Sequence, residues 1–157
     1  MIVEVEIPGY GTLRLNHLVM DYNGTLAVDG GLLWGVATAL EKLSGSLQLH
    51  VLTADTFGMA EAELKNIACG LTVLPPGDQS GAKRDYVMRL GPDNTAAIGN
   101  GRNDRLMLET AALGICVLLE EGAATGTLNS ADVVCPSVLS ALDLFSNPLR
   151  LKATLRS

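Results

Sequence analysis

The stretch LVMDYNGTLAVD at residues 18–29 decides which fold this chain is expected to adopt. Three apolar residues end abruptly in Asp21, and Asn23 and Gly24 follow it. This order predicts a buried strand that opens into a tight loop, because glycine accepts backbone conformations that other residues resist. Open parallel sheets bind their ligands beyond the carboxyl ends of the strands, so Asp21 is a candidate site residue. The same residues are also typical of an ordinary turn, so other parts of the chain are needed to distinguish a ligand site from a turn.

The length and composition of the chain favour one globular domain that spans residues 1–157. The 157 residues are 48% hydrophobic, 18% charged and 4% aromatic, which indicates a core of aliphatic side chains. The net charge of −6 and the lack of a Lys/Arg cluster argue against nucleic acid as a partner, because a phosphate backbone would be repelled. A phosphorylated small molecule needs only a local positive site and is not excluded.

The cysteines and the amino-terminal residues predict a location in the cytoplasm. Cys69, Cys116 and Cys135 are widely spaced and form no Cys-x-x-Cys pair, which argues against a disulfide framework and against a zinc site. Residues 2–6 are alternating and acidic, unlike a secretory signal, and no apolar run approaches the roughly 20 residues of a membrane helix. We therefore expect a soluble cytoplasmic protein with no membrane partner.

Strands that alternate with helices predict an α/β fold. Residues 2–7 and 12–15 are expected to form an N-terminal β-hairpin around a Pro-Gly turn. Further along, short apolar runs alternate with segments of helical spacing, which predicts a mainly parallel sheet covered by helices on both faces. Residues 30–34 are a candidate flap near the site. The later strands are expected at 18–20, 47–52, 71–74, 95–98, 115–119 and 133–135, and the helices at 36–43, 59–68, 80–91, 105–112, 123–129 and 137–145.

Four polar groups fall at strand ends or helix starts in chain order. Thr53 and Ala54 follow the 47–52 strand, although the Thr and Asp residues there also suit helix capping. Lys83 lies near a helix start, where a cation opposes the helix macrodipole and so requires an electrostatic reason. Two glycines around Asn100 permit close approach of a ligand or metal to the backbone. In order, the groups are Asp21 with Asn23, then Thr53, then Lys83, then Asn100 with Asp104.

This order and spacing resemble the haloacid dehalogenase (HAD) superfamily of phosphotransferases across residues 18–135. The four motifs of that superfamily are Asp-x-Asp-x-Thr, a Ser or Thr, a Lys, and Gly-Asp-x-x-x-Asp or Gly-Asp-Gly-x-Asn-Asp. Here they read DYNGT at 21–25, Thr53, Lys83 and GNGRND at 99–104. The resemblance implies a Rossmann-like three-layer sandwich. The short gaps before Thr53 and before Lys83 leave no room for either usual cap insertion.

The resemblance also implies roles for individual residues. Asp21 would be the nucleophile that forms an aspartyl-phosphate, and Mg²⁺ and Lys83 would neutralise the phosphoryl oxygens. The metal would be held by the Asp21 side chain, the Asn23 backbone carbonyl and an oxygen of Asn100 or Asp104. The implied catalytic residues are Asp21, Asn23, Thr53 and Lys83, the implied phosphate-binding residues are Gly24, Thr25, Thr53, Ala54, Lys83 and Asn103, and the implied metal-binding residues are Asp21, Asn23, Asn100 and Asp104.

Two asparagines depart from the family pattern. Asn23 stands where the phosphatases have a second Asp, which protonates the leaving oxygen and then activates water, so slow turnover is expected. Asn100 stands in place of a metal-binding carboxylate and is expected to weaken Mg²⁺ binding. The two asparagine-containing motifs look closest to small soluble proteins related to the phosphorylation domain of P-type ATPases. The chain has no room for the nucleotide-binding insertion of those pumps and no membrane segment, which excludes ion pumping.

Two functions stay open from the sequence. The leading hypothesis is a capless Mg²⁺-dependent phosphohydrolase that acts on a phosphorylated small molecule or macromolecule, with good leaving groups least affected by the missing acid. The alternative is a binding or regulatory protein that keeps the scaffold without useful turnover, which Asn23 and Asn100 favour. Capless relatives shield an open site by oligomerisation or act on large substrates, so a homo-oligomer is one expectation.

Overall fold

Between residues 36 and 146, helices and strands alternate along the chain as the sequence predicts. The computed structural model describes residues 2–54 and 58–157. Short 3-10 turns lie at Pro92–Asn94 and Arg102–Asp104. In chain order the elements are β1 Val3–Ile7, β2 Gly11–Leu15, β3 His17–Asp21, β4 Ala27–Val28, β5 Gly31–Leu32, α1 Val36–Leu43, β6 Gln48–Thr53, α2 Met59–Leu64, β7 Gly70–Val73, α3 Gln79–Leu90, β8 Thr95–Gly99, α4 Arg105–Thr110, β9 Leu113–Val117, α5 Thr125–Ser130, β10 Val133–Cys135, α6 Val138–Ser146 and α7 Pro148–Leu155.

The central sheet has six strands in the order β10-β9-β8-β3-β6-β7, and every neighbouring pair is parallel. β3 lies between β6 and β8, so Met20 is opposite both Val51 and Ile98. The chain leaves β3 towards β6 on one side and returns to β8 on the other. The strand order therefore reverses direction at the carboxyl end of β3, which is where open α/β sheets bind ligands.

The two faces of the sheet carry separate apolar cores. Leu18 and Met20 of β3 belong to the larger core, together with side chains of α1 and α6. Val19 points the other way into a smaller core with side chains of α3 and α4. Successive side chains of a strand face opposite sides, so a strand buried on both faces is apolar throughout, as residues 18–20 are. The result is the predicted three-layer arrangement of helices, sheet and helices.

Two small antiparallel hairpins flank this sheet. β1 and β2 pair in register from Val3 opposite Leu15 to Ile7 opposite Gly11, which confirms the predicted N-terminal hairpin. Its alternate residues are buried in the larger core. β4 and β5 pair just after the Asp21 loop, and they form a short flap that includes part of the candidate flap at 30–34.

The structure differs most from the prediction at the end of α2 and in an additional helix, α7. α2 ends at Leu64 and not at Ala68, because Asn66 and Ile67 are weak helix formers and the Ile67 amide closes a tight turn onto the Leu64 carbonyl. α7 was not predicted from the sequence at all. The residue before α2 is Gly58, which makes no side-chain capping bond. The suggested capping role of Asp55 and Thr56 lies outside the described residues.

Across residues 2–54 and 58–157, no helix is both long and apolar enough to cross a membrane. The three cysteines are free thiols, with Cys116 and Cys135 buried and Cys69 partly exposed.

Candidate active site

A tight loop after β3 presents Asp21 at the carboxyl edge of the sheet. The Tyr22 carbonyl accepts hydrogen bonds from the amides of Thr25, Leu26 and Ala27, which folds the chain back directly after the strand. Gly24 has a φ of 80°, the left-handed conformation that glycine adopts without strain. The Gly24 amide donates to the Ala27 carbonyl at 2.7 Å. Both loop amides that were expected to bind phosphate, those of Gly24 and Thr25, thus already have acceptors inside the loop.

Lys83 lies between two carboxylates from distant parts of the chain. Its ammonium nitrogen is 2.9 Å from Asp21 Oδ1 and 2.7 Å from Asp104 Oδ1, and its side chain is only 2% exposed. A third oxygen, Asn103 Oδ1, lies 3.4 Å away. Asp78 caps α3 by accepting from the Gly81 amide at 3.0 Å, which fixes the first turn of the helix that carries Lys83. The electrostatic reason for a cation at this helix start is therefore the carboxylate pair.

Asp104 is fully buried and is held by the loop that follows β8. Its Oδ2 accepts from the amides of Asn100 at 3.0 Å and Gly101 at 2.9 Å, while its Oδ1 accepts from Lys83. A Cβ at Gly99 would lie 2.6 Å from the Asp104 side chain, so only glycine leaves space there. Both carboxylate oxygens of Asp104 are thus engaged in positioning the 99–104 loop and Lys83.

Asn100 connects the Asp21 loop to the loop after β9. Thr25 Oγ1 lies 3.3 Å from Asp21 Oδ2 and 3.4 Å from Asn100 Oδ1, so its single proton can be donated to either oxygen. The Asn100 side-chain amide donates to the Gly122 carbonyl at 3.0 Å. Its carbonyl oxygen therefore faces the Asp21 side of the site and its nitrogen faces the later loop.

The pKa values of Asp21 and Lys83 are both raised above their ordinary values, for different reasons. Burial raises the pKa of Asp21 from 3.8 to about 7, and the neighbouring Asp104 adds to the rise, while Lys83 and the Thr25 hydroxyl oppose it. Burial alone would lower the pKa of Lys83, but Asp21 and Asp104 outweigh it and raise that pKa above its ordinary value. Lys83 is accordingly a permanent cation at neutral pH, and Asp21 can be protonated or charged near neutrality.

These groups border an open cavity of about 350 Å³ above the carboxyl ends of the strands. Most of the predicted site residues line it, whereas Gly24, Thr25 and Asp104 lie behind the lining. Gln79 and residues 121–124 also line the cavity and were missed by the sequence analysis. The lining residues are Asp21, Asn23, Thr53, Ala54, Gln79, Lys83, Asn100, Gly101, Asn103, Glu121, Gly122, Ala123 and Ala124.

The missed residues have different sequence signals. Gln79 follows the capping residue Asp78 and could have been found from its place at the start of the Lys83 helix, and it accepts from the Asn103 amide at 3.3 Å. Glu121 lies in an exposed turn with no motif around it. Its approach to the site depends on how two loops pack, which no local pattern reports.

The donor atoms at the cavity suit a hard divalent cation. Within residues 2–54 and 58–157, no group of three or more His, Cys, Asp or Glu side chains is arranged to hold a metal ion. The cavity instead offers oxygen donors of mixed charge: the Asp21 carboxylate, the Asn100 amide oxygen and the Glu121 carboxylate. Mg²⁺ binds through few protein oxygens and keeps several waters, so this donor set fits it.

Solved structures of HAD hydrolases share this fold. A putative HAD superfamily hydrolase from Legionella pneumophila matches with a TM-score of 0.68 and 18% identity over 90% of this chain and 87% of that one. The 3-deoxy-D-manno-octulosonate 8-phosphate phosphatase from Moraxella catarrhalis, solved with magnesium, phosphate and the sugar acid, matches with a TM-score of 0.69 and 17% identity over 90% and 94%. The cobalt-bound deoxy-D-mannose-octulosonate 8-phosphate phosphatase from Haemophilus influenzae matches with a TM-score of 0.71 and 14% identity, over 91% of this chain and 94% of that one.

The chain therefore has the HAD fold, which confirms the fold that the four motifs predicted. No protein-family model matches the sequence. A segment of 60 residues is 55% identical to an uncharacterised protein of Methanocaldococcus jannaschii, and the match spans 38% of this chain and 64% of that protein. The narrower resemblance to the P-type ATPase-like group stays a prediction.

Proposed function

We propose that this protein is a divalent-metal-dependent phosphohydrolase that works through an aspartyl-phosphate on Asp21. The observation that carries the proposal is the Asp21 carboxylate at the cavity, held 2.9 Å from a buried lysine at the switch point of a HAD-type sheet. A carboxylate that attacks a phosphate ester is opposed by like charge, and the permanent cation of Lys83 offsets this repulsion. The phosphatase fold of the neighbouring structures supports the same chemistry.

The reaction divides between two displacements at phosphorus. A carboxylate oxygen of Asp21 forms a bond to phosphorus while the P–O bond of the ester breaks. The leaving oxygen takes a proton from water and departs as the alcohol. Water then attacks the aspartyl-phosphate, which releases phosphate and restores the Asp21 carboxylate. The phosphoryl oxygens are bound by four residues of the cavity lining: Lys83, Thr53, Ala54 and Asn103.

The metal site would use the Asp21 side chain, the Asn23 backbone carbonyl and the Asn100 side-chain oxygen. Asn100 is preferred to Asp104 because both oxygens of Asp104 already accept hydrogen bonds away from the cavity. When bound, Mg²⁺ supplies positive charge that neutralises the phosphoryl oxygens. Asp104 would act on the site through Lys83, which it holds in place.

The substrate class is a phosphorylated small molecule with a good leaving group. The neighbouring phosphatases act on a sugar-acid phosphate, which is a phosphorylated small molecule. The described residues between β3 and α3 form only short strands and two helices, so no cap narrows the entrance to the cavity. A carboxyl group at position 23 could transfer a proton to a leaving alcohol and would speed its departure by roughly 10²–10⁴-fold. The amide of Asn23 cannot transfer this proton. Acyl and aryl phosphates need this help least.

A panel of phosphate esters with Mg²⁺ tests the proposal. Acetyl phosphate, para-nitrophenyl phosphate and 3-deoxy-D-manno-octulosonate 8-phosphate would be compared by phosphate release. We expect turnover of at least one acyl or aryl phosphate, lost in Asp21→Asn and retained in Asp85→Asn, whose carboxylate is exposed on α3. Ligand binding without turnover of any ester would favour the regulatory alternative that the two asparagines suggest.

A second variant tests the explanation for slow turnover. Asn23→Asp restores a carboxyl at an exposed position of the cavity lining, so we expect alkyl phosphate hydrolysis to rise at least about tenfold. Acyl phosphate hydrolysis should rise less, because its leaving group needs no proton. Equal rates for the variant and the parent protein on both esters would contradict the missing-acid explanation.

A further inference from the structure

The carboxylate of Glu121 occupies the space above Gly24. A Cβ at Gly24 would collide with Glu121 Oε2, and it would lie 2.9 Å from Asn100 Nδ2 and 3.0 Å from Asn100 Oδ1. The missing side chain of Gly24 thus leaves a notch, and the Glu121 carboxylate and the Asn100 amide both border it. Glycine is needed here for the close approach as well as for its positive φ.

The turn that carries Glu121 is fixed to the site by its backbone. The Gly122 amide donates to the Leu119 carbonyl at 2.9 Å, which closes the turn around Glu121. The Gly122 carbonyl accepts from the Asn100 side chain, and the Ala124 amide donates to the Asn100 carbonyl at 2.9 Å. The loop after β9 is therefore hydrogen-bonded to Asn100 on both sides of that residue, and Glu121 is carried in a defined position at the cavity.

Without Glu121, the site has too little negative charge to balance a divalent cation. With Asp21 ionised, Lys83 neutralises one of its two carboxylate partners, so these three groups together carry one net negative charge. Asn23 and Asn100 add none. A divalent cation that prefers charged oxygen ligands would be poorly balanced by this set alone. The Glu121 carboxylate brings the cavity to two net negative charges, which matches the charge of the cation.

We propose that Glu121 supplies the carboxylate that Asn100 lacks and binds the divalent cation of the site, directly or through a metal-bound water. This inference rests on the proposed metal-dependent function. It needs no cluster of three carboxylates, because Mg²⁺ retains several waters that an adjacent carboxylate can accept from. It also explains why a neutral Asn is tolerated at position 100: the negative charge comes from another loop, through the notch at Gly24.

Metal binding separates this role from a general charge effect. Mn²⁺ binding would be titrated by electron paramagnetic resonance, and Mg²⁺ by competition, for the parent protein, Glu121→Gln and Glu120→Gln. Glu120 is the matched control because it is the exposed neighbour with the same charge and is not part of the cavity lining. Loss of a carboxylate beside a metal typically weakens binding 10–100-fold. We expect that weakening for Glu121→Gln and less than about twofold for Glu120→Gln, because exposed distant charges are screened.

The outcomes distinguish this inference from the proposed function. Unchanged Mn²⁺ affinity in Glu121→Gln, with the parent protein still binding Mn²⁺ and hydrolysing an ester, would overturn the role of Glu121 and leave the phosphohydrolase proposal standing. Equal weakening of Mn²⁺ binding in both variants would also overturn it, because the effect would then come from the net charge of the protein and not from a carboxylate at the metal. A parent protein that neither binds Mn²⁺ nor turns over any ester would overturn both proposals. Thermal unfolding of each variant would verify that the exposed substitutions leave the fold intact.

Discussion

The ammonium group of Lys83 balances two carboxylates that would otherwise repel each other inside the protein. Asp21 and Asp104 approach it at 2.9 Å and 2.7 Å, and Asp104 has no solvent contact at all. A buried ion pair is weak evidence for net stability, but removal of one partner leaves an uncompensated buried charge. Lys83 is therefore a structural residue as well as a proposed phosphate-binding one.

We expect Lys83→Met to destabilise the protein by about 3 to 5 kcal/mol, because two carboxylates are left facing each other without a cation. The free energy of unfolding would be measured by urea titration at pH 8. Lys42→Met, at an exposed position of α1, is the matched control and should change stability by less than about 0.5 kcal/mol. Equal effects of the two substitutions would contradict the proposed charge balance.

Single residues were predictable where a local pattern carried them. Asp21 was found because it ends an apolar strand, and Lys83 because a cation at a helix start needs a partner. Glu121 had no such signal. Its nearness to Gly24 comes from a turn in another part of the chain, and the only local sign was a glycine already explained by its turn.

At the scale of elements, the carboxy-terminal helix α7 is the feature that the sequence analysis missed. Its apolar spacing is weak, and Pro148 at its first turn is typical of a helix start that is easily taken for a loop. α7 packs against β1, and Leu151 is fully buried in the larger core. Its stability thus comes from packing against the hairpin more than from its own pattern.

We expect Leu151→Ala to destabilise the protein by about 2 to 5 kcal/mol, because it leaves a cavity between α7 and the hairpin. Leu149→Ala is the matched control on the same helix. Leu149 is 75% exposed, so its truncation should cost less than about 0.5 kcal/mol. Urea unfolding of the two variants checks the comparison, and similar losses would mean that α7 does not pack as described.

For the whole molecule, the position of β3 in the sheet explains why distant polar groups meet. β3 lies between β6 and β8, so the loops that follow these three strands share one edge. Asp21 and Thr53 end β3 and β6, and Asn100 follows β8 directly. Lys83 reaches the same edge from α3. The order of strands was not predicted, but the meeting of these groups follows from parallel strands with short connections.

The largely buried Asp21 should also make global stability depend on pH in the metal-free protein. Its pKa is raised from 3.8 to about 7 in the folded state, so the folded state holds this proton more tightly than the unfolded chain. Stability from this group is then fully present below pH 3.8 and is lost as the pH rises through about 7. Its own contribution to the free energy of unfolding is therefore expected to fall between pH 5 and pH 8.

Asp21→Asn removes the titrating group and isolates its contribution. Urea unfolding at pH 5 and pH 8 in the presence of a chelator should show a smaller loss of stability for the variant than for the parent protein. Other titrating groups, including the two histidines, are the same in both proteins and cancel in the comparison. Equal losses between the two pH values would contradict a raised pKa for Asp21.

Local patterns of residues were enough to predict the α/β class, the strands and most helices, and the order of the polar groups along the chain. Those features depend on hydrophobic periodicity, turn residues and capping, which act over a few neighbouring residues. Two contacts could be seen only in the folded protein: Asp104 binds Lys83 and the backbone behind the cavity, and Glu121 approaches the site over Gly24. These contacts depend on how loops from separate strands pack together, because burial and charge compensation act between residues that are close in space and distant along the chain.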